Sequence, residues 1–141
     1  MNYSRRILIF FVCVLLVFAS AYLASMSGNN TQEALNQRVL TEWEARSNGK
    51  WGVVYDLTAD VFKKKVTRSG FVEKANIRIE KFSIKEVKVL ESGEEGLAIV
   101  EYTMNQMGFS FDTAVKEKWL WEDSEWRLDI PFSSSPFTKN K

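Results

Sequence analysis

Few side chains in this sequence are equipped for chemistry. There is no histidine, which removes Ser-His-Asp and Cys-His nucleophilic catalysis, imidazole general-base chemistry and nearly all zinc, copper and haem ligation. The one cysteine, Cys13, lies inside an apolar run, where a thiol behaves as a small hydrophobe. No metal and no cofactor is therefore expected. What remains is a set of aromatics and two carboxylates. Tyr55, Tyr102, Phe111 and Trp119 are the candidate pocket residues, because aromatic walls with a few polar groups make the usual small-ligand site. A Tyr hydroxyl there could hold an oxygen-bearing apolar ligand or stabilise an oxyanion. The plainer reading is that these rings fill the core, since aromatics dominate cores through their large buried area. Glu101 and Glu117 are the candidate acid pair: facing one cavity, one of them would have a raised pKa and act as an acid. The plainer and preferred reading puts both on solvent-facing strand positions paired with Lys, because carboxylates are seldom buried alone. No catalytic constellation is assembled, and the chain is expected not to be an enzyme.

The N-terminus sets where any such chemistry would happen. Arg5 and Arg6 precede an uncharged apolar run over 7–24. About 18 apolar residues is near the lower limit for a bilayer-spanning helix. No Lys or Arg follows until Arg38, so the positive-inside rule puts the N-terminus in the cytoplasm and the rest across the membrane, in the periplasm or outside the cell. Residues 7–24 would then contact membrane lipid. The alternative is a secretory signal peptide, cleaved after Ala19-Ser20-Ala21 or Ser25-Met26-Ser27, with the domain secreted. Residues 1–25 thus form the cytoplasmic start and the anchor or signal, and 26–30 a linker.

The remainder has the length of one domain. The chain carries 19 Lys and Arg against 18 Asp and Glu, so no strong field points to nucleic acid. Lys63-Lys64-Lys65 is the densest basic cluster and reads as a solvated surface, too short for a phosphate-tracking groove.

The elements follow from period and punctuation. Thr31 is a plausible N-cap, and Leu35, Val39 and Trp43 form the stripe of an amphipathic helix to about Arg46, stopped at Asn48-Gly49. A short helix over about 50–57 places Trp51, Val54 and Tyr55 on one side. Thr58 reads as the next cap, ahead of Val61, Phe62 and Val66, and Thr67 opens a last helical piece with Phe71, Val72 and Ala75. Near Phe82 the period changes to that of strands, with a phase slip at Lys85-Glu86 that suggests a bulge. Further strands are expected over 97–106, from Phe109 to Trp121, and over 126–130, separated by a turn at 91–96, by Gly108 and by an acidic turn at 122–125. Phe109, Phe111, Val115, Trp119 and Trp121 share one face of the third strand. Pro131 ends the last strand, and 132–141 is a polar tail. Helices followed by an antiparallel meander predict an α+β domain over 31–131, with the helices packed on one face of a strongly curved sheet.

Three stretches carry a family resemblance. Trp43 to Leu57 (WEARSNGKWGVVYDL), Leu97 to Tyr102 (LAIVEY) and Trp119 to Leu128 (WLWEDSEWRL) resemble the first two helices, an inner strand and the closing hairpin of the nuclear transport factor 2-like superfamily, the α+β cone also called cystatin-like. The resemblance spans about 32–130 and concerns packing and turning. It implies a cone-shaped domain that serves, across the superfamily, as dehydratase, ketosteroid isomerase-like or polyketide cyclase-like enzyme, or as a non-catalytic binding or assembly module. Membrane-anchored extracytoplasmic members, including the assembly subunit of type IV secretion systems, have a similar layout. The resulting expectation is a non-enzymatic accessory or assembly subunit of a larger membrane complex, with a protein partner or a second copy as its contact. The alternative is an extracytoplasmic domain that binds a small apolar ligand or acts in the manner of an isomerase.

Overall fold

A computed structural model describes residues 30–75 and 77–131. The expected anchor or signal over 1–25, most of the linker and the tail over 132–141 lie outside the described residues. Among the described residues no helix is long and apolar enough to cross a membrane.

The domain is α+β. Among the described residues, four helices, α1 (Gln32–Ser47), α2 (Trp51–Asp56), α3 (Asp60–Lys63) and α4 (Arg68–Lys74), precede four strands, β1 (Arg78–Val89), β2 (Glu95–Gln106), β3 (Phe109–Glu122) and β4 (Glu125–Asp129). The strands form one antiparallel sheet in the order β1-β2-β3-β4.

α1 begins where the Thr31 side chain accepts from the Ala34 amide at 3.1 Å, and Glu33 in its first turn complements the helix dipole. Gly49, with φ +67°, follows the helix and reverses the chain into α2. Thr67 caps α4 as expected, accepting from the Gly70 amide at 3.2 Å. Thr58 is not the cap of α3; Ala59 holds that position. Thr58 is instead fully buried, bonds the Tyr55 carbonyl at 2.7 Å, and forms an isolated parallel bridge to Leu128. A hydroxyl satisfied by the preceding turn can be buried there, and the bridge holds the helical end to β4.

β1 starts at Arg78, four residues ahead of the expected change of period. Its register slips between Ile84 and Glu86, at the anticipated bulge, and again between Ile79 and Lys81. The paired rungs Phe82–Tyr102–Thr113, Ile84–Val100–Val115 and Gly96–Trp119–Leu128 fix which side of each strand faces α1. Leu35, Val39 and Trp43 of α1 meet Ala98, Val100, Trp119, Trp126 and Leu128 in the main core. At Gly96 the Leu35 side chain occupies the space a Cβ would need, so the strand admits the helix only at a glycine. A second cluster, Ala45, Val54, Tyr55, Phe62 and Phe71, holds the short helices together, and Ile130 packs against both clusters.

Candidate functional site

The four candidate pocket residues fall in three different settings. Trp119 is fully buried in the main core. Tyr102 is half-buried, its ring 4.9 Å from that of Trp43, which also lies 5.9 Å from Phe82. Tyr55 belongs to the second cluster, 5.7 Å from the Phe71 ring, with its hydroxyl donating to the Val66 carbonyl at 2.8 Å. Phe111 is 49% exposed. It shares the helix-facing side of β3 with Trp119, but it lies beyond the end of α1. Strand alternation gave its face correctly and could not give the length of the covering helix.

The carboxylate pair also divides. Glu101 is exposed and bonded to Lys85 at 2.9 Å, as the plainer reading held. Glu117 departs from that reading: it is buried and has no Lys partner among the described residues. It falls on the same side of β3 as Val115 and Trp119, under α1. There its Oε2 accepts from the Trp43 indole N–H at 3.3 Å, and its Oε1 lies 3.8 Å from Arg46.

Its neighbour under the helix is Glu42, a residue to which sequence reasoning assigned no role. Glu42 is fully buried, and its Oε1 accepts from Arg46 Nε one turn along α1. The Glu42 Oε2 atom has no hydrogen-bond partner among the described residues. Burial pushes the Glu42 carboxyl from its ordinary 4.5 up to about 8; Arg46 opposes the rise and Glu117 adds to it. Glu117 is raised as well, by burial first, against the pull of Arg46 and the Trp43 hydrogen bond. Two carboxyls therefore share one guanidinium, and at neutral pH the group holds a proton on Glu42. The Arg46 guanidinium lies over two rings, 5.1 Å from the Trp43 centroid and 5.8 Å from that of Trp51. The signal was present in the sequence: positions 35, 39, 42, 43 and 46 lie on one helical stripe, so Glu42 and Arg46 sit on the face that the apolar residues define.

No protein-family model matches the chain, and no curated protein matches it. Among solved structures, the crystal structure of the intermembrane space region of chloroplast protein ARC6 matches over 64% of this chain and 92% of its own, with 12% identity and a TM-score of 0.30. A TM-score of that size does not establish a shared fold.

A groove of about 570 Å³ opens on the sheet. Because Phe82 and Tyr102 point toward Trp43, their neighbours Lys81, Ser83, Glu101 and Thr103 point to the other face, and these line it with Asp112. Its polar groups are largely engaged with one another. Thr103 Oγ1 donates to Asp112, and Glu101 is bonded to Lys85. Neither Glu42 nor Glu117 lines this groove, so the two buried carboxyls have no route to a substrate there.

Among the described residues, the largest exposed apolar side chains gather at the far end of the β2–β3 hairpin. Gln106 pairs with Phe109, leaving Met107 and Gly108 as a two-residue turn with φ values of 54° and 84°. Positive φ at both positions is the type I′ geometry that hairpin twist favours and that Asn and Gly usually supply. Met107 occupies the first position with 93% of its surface exposed, followed by Phe109 at 67% and Phe111 at 49%.

Proposed function

We propose that this protein is a non-enzymatic accessory or assembly subunit of a membrane complex. It is held by a single span over 7–24, with its N-terminus cytoplasmic and its domain on the periplasmic or extracellular side. In this reading the domain is a nuclear transport factor 2-like cone, a view supported by helices that precede an antiparallel meander and by two bulges that bend β1. The domain docks on its partner through the tip of the β2–β3 hairpin.

One observation carries the proposal: Met107, Phe109 and Phe111 stand together in solvent at the end of a paired hairpin. Clustered exposed apolar side chains on a small domain mark an interaction site. A methionine in a turn position that favours Asn or Gly is a local cost, and such positions concentrate at functional surfaces. Meanwhile Trp43 and Trp119 fill the space under α1 that a small apolar ligand would need.

The test is purification of the full-length chain from its own membrane in a gentle detergent, with mass spectrometry of everything retained. A stoichiometric companion held by the native chain and lost from the Met107→Ser, Phe109→Ser double variant is the expected result. Both positions are exposed, so the variant keeps the core. Retention of the companion by the variant would overturn the docking surface, and recovery of the chain alone would overturn the subunit reading. The intact mass of the same sample reports whether 1–25 is kept.

A further inference from the structure

The sheet has two very different edges. The β1 edge is blunted in several ways. It carries Lys81, Lys85 and Lys88, two bulges, and a side chain that stands in for a strand: Gln32 Nε2 donates to the Val87 carbonyl at 2.7 Å while its Oε1 accepts from the Val89 amide at 3.0 Å. These are the devices by which proteins keep a sheet edge from pairing with another chain. The β3 edge has neither a bulge nor a covering side chain over most of its length, and Lys116 is its one lysine there. β4 pairs with β3 only from Lys118 to Glu122. Among the described residues, 109–117 have β2 on one side and no strand on the other, and no backbone hydrogen bond outside the ladder reaches them. That stretch, FSFDTAVKE, contains no proline and no bulge.

We infer that a second copy of this chain pairs with this edge, β3 against β3 in antiparallel register about a two-fold axis at Thr113, making one continuous eight-stranded sheet. The register is chosen by self-complementarity. An antiparallel partner must keep helix-facing residues opposite helix-facing residues. A centre at Asp112 would put like charges directly opposite. A centre at Thr113 puts Phe111 opposite Val115 of the second copy, twice, and Thr113 opposite its own equivalent. Aromatic–β-branched and Thr–Thr pairs are among the favourable cross-strand pairs. On the other face Asp112 lies opposite Ala114 of the second copy, with Lys116 on one diagonal and the second Asp112 on the other, so the like charges are moved from directly opposite to diagonal and each gains a lysine. Lys116 is exposed and makes no ion pair among the described residues. The arrangement covers Phe111, which α1 leaves half in solvent, sets Phe109 opposite Glu117 of the second copy at the ends of the paired stretch, and leaves Met107 beyond it. It does not depend on the accessory-subunit reading, since its readout is self-pairing in one register and not the capture of a different protein.

Site-directed cross-linking of the full-length chain in detergent tests it. Cys13→Ser removes the native thiol, and single cysteines are then placed at Thr113 and, as an out-of-register control, at Ser110. Under mild oxidation Thr113→Cys should give a disulfide dimer that Ser110→Cys does not, because only residues facing their own equivalents come within disulfide distance. Adding Phe111→Lys, a change at an exposed position, should abolish the dimer while far-UV circular dichroism stays native. Equal cross-linking at 110 and 113 would overturn the register. A monomer at both positions, or a cross-link from 113 to a protein of another mass, would overturn the second copy as occupant.

Discussion

At the residue scale, the Glu42–Arg46–Glu117 group places charged side chains inside the core. Burial of a carboxylate is tolerated only where its charge is paired or removed, and Glu42 does both: it accepts from Arg46 and holds a proton to about pH 8. The folded state therefore binds a proton between pH 4.5 and 8 that the unfolded chain has lost. Stability falls as pH rises through that window and levels off above it. The limiting slope for one proton is about 1.4 kcal/mol per pH unit. Glu42→Gln keeps an acceptor for Arg46 and cannot ionise. Thermal melts from pH 4.5 to 8.5 should show the variant close to the native protein at the acid end and more stable at the alkaline end. The weaker slope that remains would belong to Glu117, which is also raised. Parallel curves for the two proteins would refute a proton on Glu42. The sequence reading placed Glu117 in solvent because it took a carboxylate's type as the guide. Strand alternation pointed the other way, putting 115, 117, 119 and 121 on one side. A charged residue was buried because a partner from a different element, Arg46, met it there, and no single stretch of sequence displays such a pairing.

At the scale of elements, the order, kind and turns of the helices and strands were legible, because period and punctuation are local. The bulge near Lys85 was visible as a slip in alternation; the one near Ile79 was not, since it precedes the stretch where alternation becomes regular. The burial of Thr58 depends on Leu128 and so lay beyond local reading. So did the role of Gln32, whose side chain bonds β1 from 55 and 57 positions away in the chain. Gln32→Ala removes both bonds and exposes the β1 edge. It should cost about 0.5–1.5 kcal/mol, with faster amide hydrogen exchange concentrated at Val89. A uniform change in exchange across the sheet would mean that Gln32 acts through helix α1 and not as a cover for the edge.

At the scale of the whole molecule, two packed clusters share Ile130. The cluster of α2, α3 and α4 rests on helices of 6, 4 and 7 residues, each too short to persist without its packing. β2, by contrast, is paired along both sides. Native-state exchange should show the short helices opening at lower free energy than the centre of β2, as a separate cooperative unit. Identical opening energies in α4 and β2 would mean that the domain opens as a single unit. The link between the clusters is made by the last strand. Leu128 donates to the Leu57 carbonyl at 2.8 Å and accepts from the Ala59 amide at 2.9 Å, and Arg127 reaches the Asp56 carbonyl across 71 positions of chain. Of the described elements, β4 is the last to be synthesised. Until then the helical end lacks the strand that holds it, and the long loop from α2 to β4 stays open with its closure entropy unspent. The nascent chain therefore keeps its helical end loose until β4 arrives, and the domain closes only once that strand has been made.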